Sequence, residues 1–256
     1  MSSYSFQLAS TQTTQDRQYA QEMDRHFQTA AGGHLDKLRN FSRFVPRQAL
    51  STFLAKQAIF QNIIGIHGNI IECGVFMGGG LFSWTQLSSI YEPLNHTRRV
   101  IGFDTFDGFP SVSAQDRPGD APDGTFVKGP GTYRFEHLAE IEECARIHDL
   151  NRPLGHIPRI ELVSGDACQT IPAYLQENSH LVVALLYLDF DLYEPTKVAL
   201  EAFLPRMPRG AVIAFDELNQ KQWPGETLAV LETVGIRNLR IERVPFVPQI
   251  SFARLD

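Results

Sequence analysis

Residues 181–196 read LVVALLYLDFDLYEPT. An apolar run stops at Asp189, an acidic turn follows through Asp191, and a helical pattern takes over at 195–203. The next apolar run, 210–216 (GAVIAFD), again ends on an acid, Asp216. Strands that are apolar on both faces and joined by helix-length segments belong to a parallel sheet covered by helices on both sides. The same alternation recurs on moving outward. Residues 69–73 (NIIEC), 99–104 (RVIGFD) and 159–164 (RIELVS) read as strands, and 79–91, 135–148, 167–177 and 225–233 as helices. The C-terminus breaks the rhythm, because the β-rich runs 237–244 and 249–255 are separated only by 245–248. So short a link joins antiparallel strands, since a parallel return needs about a dozen residues or more. The expected fold is α/β, a doubly wound and mostly parallel sheet that ends in an antiparallel hairpin.

The 256 residues carry 23 Lys+Arg against 29 Asp+Glu, a formal charge of −6, and 43% are hydrophobic, which excludes a disordered chain. Net negative charge gives no general attraction to a phosphate backbone, so no nucleic-acid partner is expected. No apolar run approaches the roughly 20 residues of a membrane span, and no membrane association is expected. The start, MSSYSFQLASTQTTQDRQ, has neither the basic nor the apolar region of a secretory signal, so a cytoplasmic location is expected. Cys73, Cys144 and Cys168 match neither a disulfide framework nor a CxxC metal site and read as packing residues.

Residues 1–31 are polar, with weak helical periodicity over 18–30. A short helix is expected from 36 to before Pro46, and a longer one over 47–67 that aligns Leu50, Phe53, Leu54, Ala58 and Ile64. Residues 1–68 are thus expected to form a helical extension and 69–256 the main domain. The apolar faces of the extension suggest a homodimer. Residues 110–134 are dense in Gly, Pro and Asp and lack periodicity, the composition of a lid or binding loop.

The first strand runs into Glu72-Cys73-Gly74-Val75-Phe76-Met77-Gly78-Gly79-Gly80 before a helix. Glycines there allow a tight turn and close approach by a ligand, and a helix N-terminus favours negative charge. The competing reading of the segment taken alone is a tight strand-to-helix turn with no ligand. The spacing is not G-x-G-x-x-G, which counts against a nicotinamide dehydrogenase. Asp104 closes the second strand, where an acid can accept hydrogen bonds from ribose hydroxyls. Asp166, in Gly165-Asp166-Ala167 after the third, is placed to meet an adenine amino group. Either aspartate alone reads first as a helix cap or turn residue. Three such sites at successive strand ends favour a nucleoside crevice.

Asp189 and Asp191 lie two apart, so in an extended chain they point the same way, and Asp216-Glu217 ends the following strand. Four carboxylates brought together raise one another's pKa unless a hard cation with oxygen ligands joins them. No His or Cys is interleaved, which favours magnesium over zinc. The competing reading makes them solvated caps of the following helices. The absence of G-x-S-x-G counts against an α/β hydrolase; Trp84 and Trp223 read as packing residues, Trp223 also as a candidate substrate-facing aromatic.

At these residues the chain resembles the TylF-type macrocin O-methyltransferases, within the class I S-adenosylmethionine-dependent superfamily. The resemblance runs from about Phe41 to the C-terminus. It is carried by residues 43–48 (RFVPRQ), Ile71-Glu72-Cys73-Gly74-Val75, Gly102-Phe103-Asp104-Thr105-Phe106 with Gly108-Phe109-Pro110, and Gly165-Asp166. The most specific parts are Leu188-Asp189-Phe190-Asp191-Leu192-Tyr193-Glu194-Pro195-Thr196 and Phe215-Asp216. The resemblance implies a seven-stranded Rossmann-like sheet with the terminal hairpin. It implies that Glu72 and Gly74, Val75, Phe76 and Met77 hold the methionine end of S-adenosylmethionine. Asp104, with Thr105 and Phe106, would meet the ribose, and Asp166 with Ala167 the adenine. Asp189 would be the general base, and Asp191, Asp216 and Glu217 would bind Mg2+, with Asp189 near or in the metal shell. Glu217 departs from the family's commoner aspartate.

The activity so implied is magnesium-dependent methylation of a hydroxyl on a sugar or polyhydroxylated natural product, a small-molecule acceptor that the resemblance does not specify. Two other readings stay open: metal-independent methylation of an amine or carboxylate, and a non-catalytic S-adenosylmethionine-binding protein.

Overall fold

The computed structural model describes residues 13–117 and 127–256. Residues 1–12 of the expected extension and 118–126 of the expected lid lie outside the described residues. Two compact units divide between Leu54 and Ala55, so that residues 55–68 of the expected extension belong to the second unit.

In the first unit, α1 (Thr14–Thr29) starts at Thr13. The Thr13 hydroxyl accepts from the Asp16 amide at 3.2 Å, and the Asp16 carboxylate accepts from the Thr13 amide at 2.9 Å. This reciprocal cap satisfies two amides that would otherwise lack partners. The single helix expected from 36 instead divides into α2 (His34–Arg39) and a 3-10 turn, Phe41–Arg43. Asn40 stands at the break and donates its side-chain amide to the Asp36 carbonyl at 2.9 Å, the local competition with helix that Asn favours.

The next helix, α3 (Arg47–Phe60), crosses the division and ends seven residues before the expected 67. Arg98, distant in sequence, takes the carbonyls of Ile63, Ile66 and Gly68 at 3.0, 2.8 and 2.8 Å. A continued helix would commit carbonyls in this stretch to their own amides, so the guanidinium stabilises a non-helical path that periodicity does not reveal.

The second unit holds β1 (Asn69–Cys73), α4 (Gly79–Tyr91), β2 (Val100–Asp104), α5 (Leu138–Leu150), β3 (Ile160–Ser164), α6 (Ala167–Glu177), β4 (Val183–Leu188), α7 (Tyr193–Phe203), β5 (Val212–Phe215), α8 (Pro224–Thr233), β6 (Ile241–Val244) and β7 (Val247–Arg254). The sheet order is β3-β2-β1-β4-β5-β7-β6. β1 to β5 are parallel, and β7 runs antiparallel to both β5 and β6. β4 and β5 are buried along their whole length, which is why their sequences show no polar alternation. Ile71, Phe103, Leu186, Phe203 and Phe215 anchor the core; burial of each such side chain contributes about 1.5–3 kcal/mol.

The hairpin turn is tighter than expected: Pro245 and Phe246 alone separate the strands, and Pro248 lies inside β7. β5 pairs only with residues 251–254, so Pro248 removes no hydrogen bond on that side. Strand order reverses between β1 and β4, and the C-terminal ends of those strands open the crevice in which open α/β sheets bind ligands.

Candidate active site

Hydrogen bonds carry the sheet one residue beyond its strand ends. The Gly74 amide donates to the Phe103 carbonyl at 2.9 Å, Asp189 to Cys73 at 2.8 Å, Asp216 to Leu188 at 3.1 Å and Gly165 to Asp104 at 2.9 Å. Gly74 and the acids that follow β4 and β5 therefore stand in register along one edge. Gly74 has φ +95°, and a Cβ there would overlap the Asp189 carbonyl oxygen, so only glycine lets β1 and β4 leave the sheet side by side. Among the described residues, five of the six non-glycine residues with positive φ belong to loops at this edge: Phe76, Phe106, Tyr133, Asp191 and Asn219. Strain of this kind gathers at functional sites.

Asp104 lies at the expected strand end but is occupied by protein. Its Oδ2 accepts from the Val75 and Phe76 amides at 2.7 and 2.8 Å, and its Oδ1 from the Phe106 amide at 2.8 Å. It shapes the 74–77 loop and leaves lone-pair capacity mainly on Oδ1. Thr105 serves the next turn, donating its hydroxyl to Gly108 O at 2.6 Å, and Phe106 is buried. Val75 is buried, whereas Phe76 is half-buried and Met77 is exposed. Asp166 caps α6, accepting from the Cys168 amide at 3.0 Å, with Ala167 buried behind it.

Glu72 points inward, only 1% exposed, under the first turn of α4. A Cβ on Gly80 would overlap its Oε1. The Lys56 ammonium stands 3.9 Å from Oε1 and 3.4 Å from the centre of the Tyr187 ring, and Tyr187 donates to Asp216 Oδ1 at 2.6 Å. Burial pushes Glu72 up to about 7 against the pull of Lys56. Its Oε2 is buried with no hydrogen-bond partner. A buried chain of contacts thus joins β1 to the acidic edge.

Asp189, Asp191, Asp216 and Glu217 are all half-buried at that edge. Burial, then the neighbouring Asp216 and Asp191, push Asp189 well above the carboxylate range. Burial raises Asp191 to about 6 against the opposing influence of Glu217, and burial, then the neighbouring Asp191, push Glu217 well up. Glu226, 1% exposed in the first turn of α8, accepts from the Glu217 amide at 3.1 Å and orients that loop. Four mutually repelling carboxylates, one with an oxygen, Glu217 Oε2, buried and without a donor, are chemically the donor set of a hard divalent cation. In their present arrangement, among the described residues, no group of three or more His, Cys, Asp or Glu is placed to hold a metal ion. The Tyr187 phenol donates to Asp216.

The described parts of the 110–134 segment are built into this edge. Asp116, 1% exposed, accepts the Tyr193 amide at 2.9 Å on Oδ1, so it caps α7 where the Asp189-Phe190-Asp191 turn ends. Lys128 is fully buried. Its ammonium donates to the carbonyls of Asp116, at 2.9 Å, and Gln222, and lies 4.4 Å from the Trp223 ring centre. Sequence reading missed Lys56, Asp116, Lys128 and Glu226. Only Lys56 left a signal, as a cation in the apolar stripe Lys56, Ile59, Phe60, Ile63 of α3 and the turn after it.

The macrocin-O-methyltransferase (TylF) family matches residues 9–231 of the chain. A crystal structure of CalS11, calicheamicin methyltransferase, is 32% identical over 99% of both chains, with TM-score 0.90. An apo structure of CalS11, described as a TDP-rhamnose 3'-O-methyltransferase of calicheamicin biosynthesis, is 31% identical over 95% of both, with TM-score 0.81. The O-methyltransferase NovP, 20% identical over 80% of this chain and 79% of its own, with TM-score 0.62, shares the fold. The Streptomyces olivaceus 8-demethyl-8-(2,3-dimethoxy-alpha-L-rhamnosyl)-tetracenomycin-C 4'-O-methyltransferase is 26% identical over 157 residues, 60% of this chain and 54% of that protein. The match therefore spans about half the length of that relative. The sheet order and antiparallel end are those of the class I methyltransferase fold. The chain belongs to the macrocin O-methyltransferase (TylF) family of S-adenosylmethionine-dependent O-methyltransferases.

Proposed function

We propose that the protein transfers the methyl group of S-adenosylmethionine to a hydroxyl of a sugar, carried by a natural product or by its nucleotide-linked precursor. The observation that supports this most directly is the register of the edge, which sets the Gly74 loop beside the Asp189-Asp191 and Asp216-Glu217 carboxylates. The names of the similar proteins, a rhamnosyl-tetracenomycin methyltransferase and a TDP-rhamnose methyltransferase, point to the same acceptor class.

In this reading the 74–77 loop and Glu72 hold the methionine end of the donor, Asp104 and Asp166 border its nucleoside, and the acceptor lies over the acidic edge. Asp189, at the end of β4 beside the Gly74 loop, is the general base. It takes the hydroxyl proton as the oxygen bonds to the methyl carbon, while the carbon–sulfur bond breaks and leaves a neutral thioether. Asp189, Asp191, Asp216 and Glu217 would hold Mg2+, which supplies a Lewis acid that lowers the pKa of a hydroxyl oxygen and fixes its position. In-line alignment of oxygen, methyl and sulfur accounts for most of the acceleration. The expected homodimer is retained in this proposal, supported by the exposed Leu35, Leu38 and Phe41 of the first unit; light scattering checks it.

The test is incubation with S-adenosylmethionine and a panel of nucleotide-linked and glycoside sugars, with magnesium or with EDTA, followed by mass spectrometry. The expected product is one methyl heavier, and EDTA and Asp191→Asn should each lower its rate at least about a hundredfold. Donor binding without methylation of any sugar would overturn the acceptor class. The Tyr187–Asp216 hydrogen bond favours a second version, in which the carboxylates act without a metal. Turnover indifferent to EDTA would select it.

A further inference from the structure

Beside the acidic edge, rings from separate loops meet around Tyr133. Its ring is edge-on to Phe76 at 6.1 Å and to Phe109 at 5.6 Å, and lies 5.9 Å from that of Trp223. Trp223 in turn stands 6.3 Å from Phe109 and only 4% exposed. The chain enters this cluster through a closed neck, with the Phe109 amide on Thr132 O at 3.0 Å and the Gly131 amide on Phe109 O at 2.9 Å. The neck holds Tyr133 at φ +60°, a conformation that costs a residue with a side chain about 1 kcal/mol or more. Despite this anchoring Tyr133 is 40% exposed. Burial, and after it the charges of Asp191, Glu217 and Asp189, push its phenol up.

Packing alone does not explain a strained aromatic residue that is backed by three rings, one of them Phe76 of the 74–77 loop, and yet left open. A pyranose ring has an apolar face of C–H groups and a rim of hydroxyls. An aromatic face next to hydrogen-bond acceptors complements both. We infer that Tyr133, backed by Phe76, Phe109 and Trp223, forms the wall on which the acceptor's sugar ring stacks, and is a specificity-determining residue for that acceptor. This rests on the proposed sugar methylation and adds where and by what the ring is held.

The experiment compares wild type, Tyr133→Phe and Tyr133→Ala on the sugar that wild type turns over best in the panel above. Calorimetric titration of S-adenosylhomocysteine into each protein measures the donor site separately. Tyr133→Ala should raise the acceptor KM about tenfold and Tyr133→Phe about threefold, with the S-adenosylhomocysteine Kd unchanged to within about twofold. If the alanine variant fails to fold by thermal melting, Tyr133→Leu takes its place with the same expectation. An acceptor KM unchanged in the alanine or leucine variant overturns the inference, and so does an equal loss of S-adenosylhomocysteine affinity, which would assign Tyr133 to the donor. Wild type that methylates no sugar removes the function and the wall together. Wild-type turnover that ignores Tyr133 removes the wall alone.

Discussion

At Gly74 two requirements coincide, a positive φ and the absence of a Cβ against the Asp189 carbonyl. Gly74→Ala must push the ends of β1 and β4 apart. It should destabilise the protein by about 2 kcal/mol or more and weaken S-adenosylhomocysteine binding, as read by urea denaturation and calorimetry. Lys56 and Glu72 make a buried pair of the kind whose loss costs more than its presence contributes. Lys56→Met leaves the Glu72 carboxyl without its cation and should cost about 3 kcal/mol. Adding Glu72→Gln to it should restore most of that. Double-variant stability equal to the sum of the two single losses would show that the pair is not coupled. The glycine and the acid were legible in the sequence, because a G-rich turn after an apolar strand and an acid at its end are local patterns. That Glu72 turns inward to Lys56 was not, because the pairing joins α3 to β1.

Among the elements, α7 depends on a side chain from another part of the chain. Leu192 at its N-cap offers no side-chain oxygen, and Asp116 fills that role through the Tyr193 amide. Asp116→Ala should cost about 1–2 kcal/mol and lower turnover, since the Asp189-Phe190-Asp191 turn leads directly into this cap. Thermal melting and steady-state kinetics check it, and unchanged turnover in a destabilised protein would separate the cap from the chemistry. The starts of α4 and α6 coincide with the sequence expectation because glycine and aspartate mark them. α3 stops early because Arg98 captures carbonyls beyond it, and α5 begins at Leu138 rather than 135. Both are outcomes of contacts rather than of propensity.

Across the molecule, the buried carboxylates impose a pH dependence. Glu72 is raised from 4.5 to about 7, so between those values the folded protein binds a proton that the unfolded chain has released. Its contribution is complete below about pH 4.5 and is lost as pH rises through about 7. Asp191, raised to about 6, acts in the same direction. Without added cation, unfolding free energy should fall by on the order of 2 kcal/mol between about pH 5 and 7, and Glu72→Gln should flatten its share. Urea midpoints across that range measure it, and stability rising with pH would contradict the burial of these acids. The sequence by itself determined the alternation of strands and helices, the terminal hairpin and the acids at strand ends, because those patterns depend on periodicity and neighbouring residues. It also carried the family resemblance through the Asp189-Phe190-Asp191 segment. Only the tertiary structure decided that Asp104 is committed to loop amides, that Asp116 and Lys128 tie the 110–134 segment to α7 and Trp223, and that Tyr133 stands open against Phe76, Phe109 and Trp223. Each of these contacts joins residues far apart in sequence, and burial together with unsatisfied hydrogen-bonding groups selects them only once the sheet has brought its C-terminal ends to one edge.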